Sequence, residues 1–282
     1  MDAAAFVIEK LAAKLKTVQG IQAIVLGGSR ASGTHAEQSD IDIGLYYDPE
    51  VPIDLPALEQ LASEVDDERR SGLITPIGEW GPWINGGGWL QVDGLAVDFL
   101  YRDLNKVNGV MADCLQGRVT IDYQPGHPHG FINAMYMAEA ARCLPLWDPS
   151  GVITKLKSQT APYPPELAAA LIRTFLWEAG FSVSAACKGA AKQDVSYAAG
   201  CCFRAVSCLN QVLFALNGQY WMNEKGAVQL AGRFPVTITD YKSRINGVFT
   251  GLTSDPDELH AAIQTLETIV QETERLSGSI SP

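Results

Sequence analysis

The sequence predicts an α/β (α+β) N-terminal domain with a small mixed sheet, spanning residues 1–135, followed by an all-α helical bundle domain over residues 136–282. Three observations carry this. Strand-period and helix-period segments alternate through the first hundred residues, an Asp-Gly dipeptide joins two apolar runs as a tight hairpin, and the second half turns to long Ala- and Leu-rich helical stretches.

Residues 3–18 place apolar side chains at helical spacing, and Gly20 breaks that pattern before the apolar run Ile21 to Leu26, which reads as a buried strand. After a Gly-rich loop at 27–33, Asp40 to Tyr46 alternates acid and aliphatic residues with the period of a half-buried strand. Leu55 to Arg70 reads as an amphipathic helix with acidic positions facing solvent. Trp89 to Val92 and Leu95 to Tyr101 flank Asp93-Gly94, a pair suited to both positive-φ positions of a hairpin turn.

The second half carries few strand signals beyond Val236 to Ile238. Pro164-Pro165 precede a helix running to about Lys188. Asp194 can cap the next helix, which ends at Asn217-Gly218, and Asp255-Pro256 opens the last one, with Leu259, Ile263, Leu266 and Val270 on one face.

Composition narrows the function classes. A hydrophobic share of 47% over 282 residues supports full cores. The N-terminus carries Asp2 and Glu9 where a secretory signal needs a basic start and a continuous apolar run, so the expected location is the cytoplasm, with no membrane partner. Six cysteines without a CxxC pair read as reduced core thiols. A formal net charge of −11 disfavours nucleic acid as a partner, because no broad basic face is available to neutralise phosphates.

The chemistry is concentrated in LGGSRASGTHAEQSDIDIGLYYD. On a strand, residues two apart share a face at roughly 6 to 7 Å, so Asp40 and Asp42 converge while Ile41, Ile43 and Leu45 take the core side. Hard oxygen ligands suit magnesium. Gly27 and Gly28 permit a tight turn and a close approach of phosphate, and Ser29 can donate its hydroxyl to a phosphate oxygen. Arg30 either adds charge to that pocket or points into solvent. Asp98, in Ala-Val-Asp-Phe-Leu, is a carboxylate inside an apolar strand, costly unless paired; metal ligation removes that objection. Asp93 reads as turn chemistry and Asp103 as a helix start.

Gly-Gly-Ser, ten residues, then Asp-Ile-Asp and an apolar residue, with a further Asp on a later strand, resembles the nucleotidyltransferase superfamily that includes DNA polymerase beta. Within it the loop and acid motifs look most like the bacterial small-molecule branch, such as kanamycin and lincosamide nucleotidyltransferases. The resemblance implies transfer of a nucleoside monophosphate from a nucleoside triphosphate, ATP by preference, to an acceptor hydroxyl. It assigns triphosphate binding to Gly28 and Ser29, and two Mg²⁺ ions to Asp40, Asp42 and Asp98. It implies a small-molecule acceptor, with a regulatory or antitoxin-like member acting on a protein partner as the alternative. Acceptor, preferred base and oligomeric state are not fixed by these residues.

Two further features are candidates for the substrate side. Lys225 could reach the β- or γ-phosphate, against a solvated turn as the plainer reading. The loop Glu79 to Trp89, rich in tryptophan and glycine, leads into the hairpin that carries Asp98 and is expected near the pocket. His127 and His129 in PGHPHG have the spacing of a metal pair but no third ligand nearby in sequence, and read as loop residues.

Overall fold

The computed structural model describes residues 3–278. They form two compact units, each made of two stretches of chain: one runs to Ala112 and resumes over Tyr136–Pro162, the other comprises Asp113–Met135 and continues from Tyr163. The chain thus changes unit three times, where the sequence predicts one boundary at 135.

The first unit holds helix α1 (Ala3–Leu15), strand β1 (Ile21–Leu26), a short helical turn α2 (Gly28–Ala31), β2 (Ile41–Tyr47), α3 (Leu55–Val65), β3 (Gly87–Val92) and β4 (Leu95–Asp103). Further along come α4 (Leu104–Leu115), the small strands β5 (Ile121–Asp122) and β6 (Phe131–Ile132), α5 (Met135–Arg142), β7 (Leu144–Trp147) and α6 (Val152–Ser158). The five-stranded sheet has the order β3-β4-β2-β1-β7. β2 and β4 are parallel and the other neighbours antiparallel, so the sheet is mixed, as predicted.

Strand β7 was not legible in the sequence. It is four residues long, contains Pro145, and pairs with β1 only at the sheet edge, where a missing N–H is tolerated. Its pairing explains why residues 136–162 belong with the first unit.

One face of the sheet is the core. Val7, Leu11 and Leu15 of α1 and Leu58, Leu61 and Ala62 of α3 pack with Ile24, Leu26, Ile41, Ile43, Leu45, Val97 and Phe99, all buried. Burying each such aliphatic side chain contributes about 1.5–3 kcal/mol. On the opposite face, Arg102 of β4 makes a bidentate ion pair with Glu139 of α5, Nε to Oε2 at 2.7 Å and Nη2 to Oε1 at 2.6 Å. The Arg102 side chain is 4% exposed. Tyr46 of β2 is buried beside this pair. The ion pair thus ties β4 to α5, within electrostatic reach of Asp42.

The hairpin turn is as expected: Asp93 and Gly94 both have positive φ, 51° and 79°. Helix α3 stops at Val65, five residues earlier than the periodicity predicts, because the acids read as solvent-facing instead hold backbone. Glu59 accepts from the N–H groups of Gly72, Leu73 and Ile74, Asp66 from Gln91 and Arg70, and Asp67 from Asp93 and Gly94. Buried Asp66 also takes the Arg70 guanidinium, which with these N–H groups holds its carboxyl well below the usual range. These carboxylates pin the hairpin that carries Asp98.

The second unit contains α7 (Pro165–Ala190), α8 (Val195–Leu216), α9 (Ala227–Ala231), α10 (Tyr241–Thr250) and α11 (Pro256–Gly278). The helical second half is therefore present, with the β5–β6 pair added to it. Asp194 caps α8 by accepting from the Tyr197 N–H at 3.1 Å, Gly218 closes it at φ 60°, and Leu259, Ile263, Leu266 and Val270 are all buried along α11. Helix α8 is long and apolar enough to cross a membrane by composition, yet 67% of that window is buried within the protein, as for a core helix. Val236 to Ile238 is not a strand: the Val236 N–H and C=O bond to the Asn217 side-chain amide, which takes the place of a neighbouring strand.

Removing one partner of a buried ion pair leaves an uncompensated charge. Glu139→Gln is expected to destabilise the protein by about 3 kcal/mol in chemical denaturation, whereas Arg102→Met with Glu139→Leu should recover most of that loss.

Candidate active site

The parallel register of β2 and β4 sets Asp42 directly beside Asp98, and the antiparallel register of β3 and β4 sets Trp89 beside Asp98. Register partners share a face of a sheet. A row of Asp42, Asp98 and Trp89 therefore runs across three strands on the face opposite Ile41, Ile43, Val97 and Phe99, which are buried in the core. Asp40 immediately precedes β2 and is exposed, while Asp42 and Asp98 are half-buried.

Asp42 and Asp98 both feel the charge of neighbouring acids. The Asp42 carboxyl is raised by burial first, then by Asp40 and Glu139, against the smaller opposing effects of Arg102 and Arg30. Asp98 is pushed up to about 6 by burial, then by Asp42 and Asp40. The groups that shift Asp98 all disfavour its charge. Two adjacent, partly desolvated carboxylates with a third close by are the ligand chemistry of a hard divalent cation.

The loop after β1 closes over Asp42. The Gly27 N–H donates to the Asp42 carbonyl at 2.8 Å. Gly28 has φ +60°, and a Cβ built there would lie 1.7 Å from Asp42 Oδ2, so glycine is required both for the backbone and for the carboxylate beside it. Ser29 follows in the first turn of α2, half-buried.

Arg30 does not point into solvent. It is buried, 9% exposed, and its guanidinium donates to the carbonyls of Glu37, Ser39 and Asp40. It braces the loop that delivers Asp40 to β2, because three backbone carbonyls outcompete solvent for a planar fork of donors. Lys225 belongs to the second unit, exposed in the turn before α9, where its N–H bonds to Asn223 Oδ1.

The tryptophan-glycine loop is built around close approach. Trp80 stacks on Trp89 with ring centroids 4.3 Å apart and planes 20° from parallel, while Trp89 remains 59% exposed. A Cβ on Gly87 would collide with the Phe99 carbonyl at 1.7 Å and approach Trp80 at 3.1 Å. Trp83 stacks edge-on against Tyr136 and receives Lys106 over its ring at 4.4 Å. Glu79 is exposed at the loop surface. Trp89 is the contribution that sequence reasoning left unspecified; the signal was its place across from Asp98 in the hairpin register counted from Asp93-Gly94.

The raised Asp98 carboxyl has a consequence for stability. Its folded-state pKa of about 6 exceeds the unfolded value of about 3.9, so the folded state binds the proton more tightly and stability falls as pH rises from about 4 to about 6. In metal-free protein at pH 8, Asp98→Asn is expected to stabilise by about 1 kcal/mol, after discounting for partial solvation, and to raise Tm by roughly 2–4 °C. At pH 4 the same variant should match the parent in a thermal melt.

Residues 8–104, roughly a third of the chain, match the sequence model of a family described as nucleotidyltransferase domain. No curated protein matches the sequence. Among solved structures, the chain is similar to a nucleotidyltransferase-like protein from Exiguobacterium sibiricum 255-15, at 13% identity over 98% of this chain and 76% of that one, with a TM-score of 0.45. The family match, which spans the Gly-Gly-Ser loop and all three aspartates, supports placing residues 8–104 in the nucleotidyltransferase superfamily, and with it nucleotidyl transfer in general.

Proposed function

We propose that this protein is a magnesium-dependent enzyme that transfers a nucleoside monophosphate, from ATP or another nucleoside triphosphate, to a hydroxyl of a small-molecule acceptor in the cytoplasm. The observation that carries this reading is the pairing of Asp42 with Asp98 under the Gly27-Gly28 turn. Six free cysteines fit the reducing compartment.

Asp40 and Asp42 would hold both metal ions, and Asp98 would complete the site on the acceptor side. Two divalent ions supply charge stabilisation at the reacting phosphate and a lowered pKa for the attacking hydroxyl. Gly28 and Ser29 receive the triphosphate, the backbone by close approach and the Ser29 hydroxyl by donation. Arg30 keeps Asp40 in place through the loop carbonyls. Asp98, beside Asp42 on the acceptor side, would take the proton of the attacking hydroxyl. The acceptor attacks the α-phosphorus in line and pyrophosphate leaves.

The acceptor class rests on three features. The net charge of −11 favours a cationic acceptor over a polyanion. Trp89, exposed on the same face as Asp98 and backed by Trp80, offers a flat wall for a sugar or amine face or for the nucleobase. The motif resemblance points to aminoglycoside- or lincosamide-type acceptors.

Incubation with Mg²⁺, each labelled triphosphate and a panel of aminoglycosides, lincosamides and candidate proteins should give a monophosphate adduct on a small molecule by mass spectrometry. An adduct confined to protein acceptors would overturn the small-molecule assignment, and full activity in Asp42→Asn or Asp98→Asn would overturn the site. Loss of Asp42 or Asp98 is expected to lower turnover by about a thousandfold or more, the loss of several kcal/mol of transition-state stabilisation.

The turn supplies a separate test. Gly28→Ala, which drives a methyl group into the Asp42 carboxylate, should weaken Mn²⁺ binding by roughly tenfold or more. Gly33→Ala, at φ +66° but facing open space, should leave it unchanged.

A further inference from the structure

The helical unit brings together three side chains that are far apart in sequence. His129 comes from the loop between β5 and β6, Glu178 from α7 and Cys208 from α8. The Cys208 Sγ lies 3.8 Å from His129 Nε2. Among the described residues this is the one group of three His, Cys, Asp or Glu donors whose ligand atoms all lie within 4.8 Å of one another. His129 is half-buried, Cys208 fully buried, and the Glu178 side chain 12% exposed.

We propose that His129, Glu178 and Cys208 bind a transition-metal ion of the Zn²⁺ class, separate from the hard-cation site on the first unit. One imidazole, one carboxylate and one thiolate form a borderline-soft, mixed set that suits Zn²⁺ and disfavours Mg²⁺. Bonds of about 2.3 Å to sulfur and about 2.0–2.1 Å to nitrogen at a tetrahedral angle require a sulfur–nitrogen separation of about 3.5 Å. The observed 3.8 Å needs only a small closure.

The surroundings fit the ion as well. Glu178 accepts the Cys208 S–H hydrogen bond, so thiol and carboxylate already face one another. Binding replaces that S–H bond by a metal–sulfur bond and releases the proton to solvent; no oxidant or reductant is involved. Two anionic ligands then balance the divalent charge. Outside the three ligands, Arg204 holds the Glu178 carboxylate. The Glu224 carboxylate accepts from the His129 N–H at 2.7 Å and fixes the loop backbone.

Three protein ligands leave one tetrahedral position open. His129 and Arg204 also line an open groove of about 520 Å³ with Tyr123 and His127, which gives the ion a path from solvent. The sequence alone could not show this site, because PGHPHG offers no third ligand within its own loop. The fold supplies two from helices 49 and 79 residues further on.

The test uses the full chain, stripped of metal and kept in excess Mg²⁺ so that the aspartates are occupied, and titrated with Co²⁺. One equivalent should bind with the visible bands of a tetrahedral ion and a near-ultraviolet thiolate-to-cobalt band. Cys208→Ser should lose the thiolate band and His129→Gln the tetrahedral bands, while Cys187→Ser keeps both. Absence of the thiolate band in the parent protein, or its survival in Cys208→Ser, overturns the site. Should Cys208→Ser fail the far-ultraviolet circular dichroism check for folding, His129→Gln decides: unchanged Co²⁺ spectra in that variant overturn the site equally.

Discussion

The parallel pairing of β2 with β4 is the constraint on which the rest of the first unit depends. It forces two carboxylates, Asp42 and Asp98, into adjacent positions on a face where both are partly desolvated. Nothing in local propensity favours that arrangement. It is held by what surrounds it: the aliphatic core on the other face, the buried Arg102–Glu139 pair that ties β4 to α5, and the loop carbonyls gathered by Arg30. The structure accepts a local repulsion and offsets it with packing elsewhere, the pattern expected of a site shaped for a ligand rather than for stability.

Much of this was legible in the sequence, and the reasons differ from residue to residue. Ile21 to Leu26 and the alternation from Asp40 are strong periodic signals, and the observed strands begin and end within a residue of them. Asp93-Gly94 dictates its own turn and so fixes the register that carries Asp98. By contrast, the boundary of α3, the edge strand β7 and the role of Arg30 depend on partners remote in sequence. A charged side chain on a helix looks the same whether it meets water or three backbone N–H groups, and Glu59 met the latter. A strand containing Pro145 carries no local signal of its own and exists because a sheet edge tolerates it.

Both candidate metal sites illustrate how ligand type separates two chemistries in one chain. The first unit uses oxygen donors from neighbouring strands, which share one face and keep room for water and phosphate. The helical unit uses imidazole, carboxylate and thiol from a loop and two helices, with Arg204 holding the carboxylate and Glu224 the histidine's backbone. An ion at either place would bind with little competition from the other, since hardness, geometry and burial all differ.

The stacked indoles of Trp80 and Trp89 have a consequence of a different kind. Two such rings at 4.3 Å, nearly parallel, couple their electronic transitions, and the pair rides on the strand next to Asp98. Any ligand that slides against the exposed face of Trp89, or any shift of that strand relative to its loop, changes the coupling and with it the near-ultraviolet circular dichroism. The protein thereby contains an optical reporter of events at its own acidic face, with no label attached.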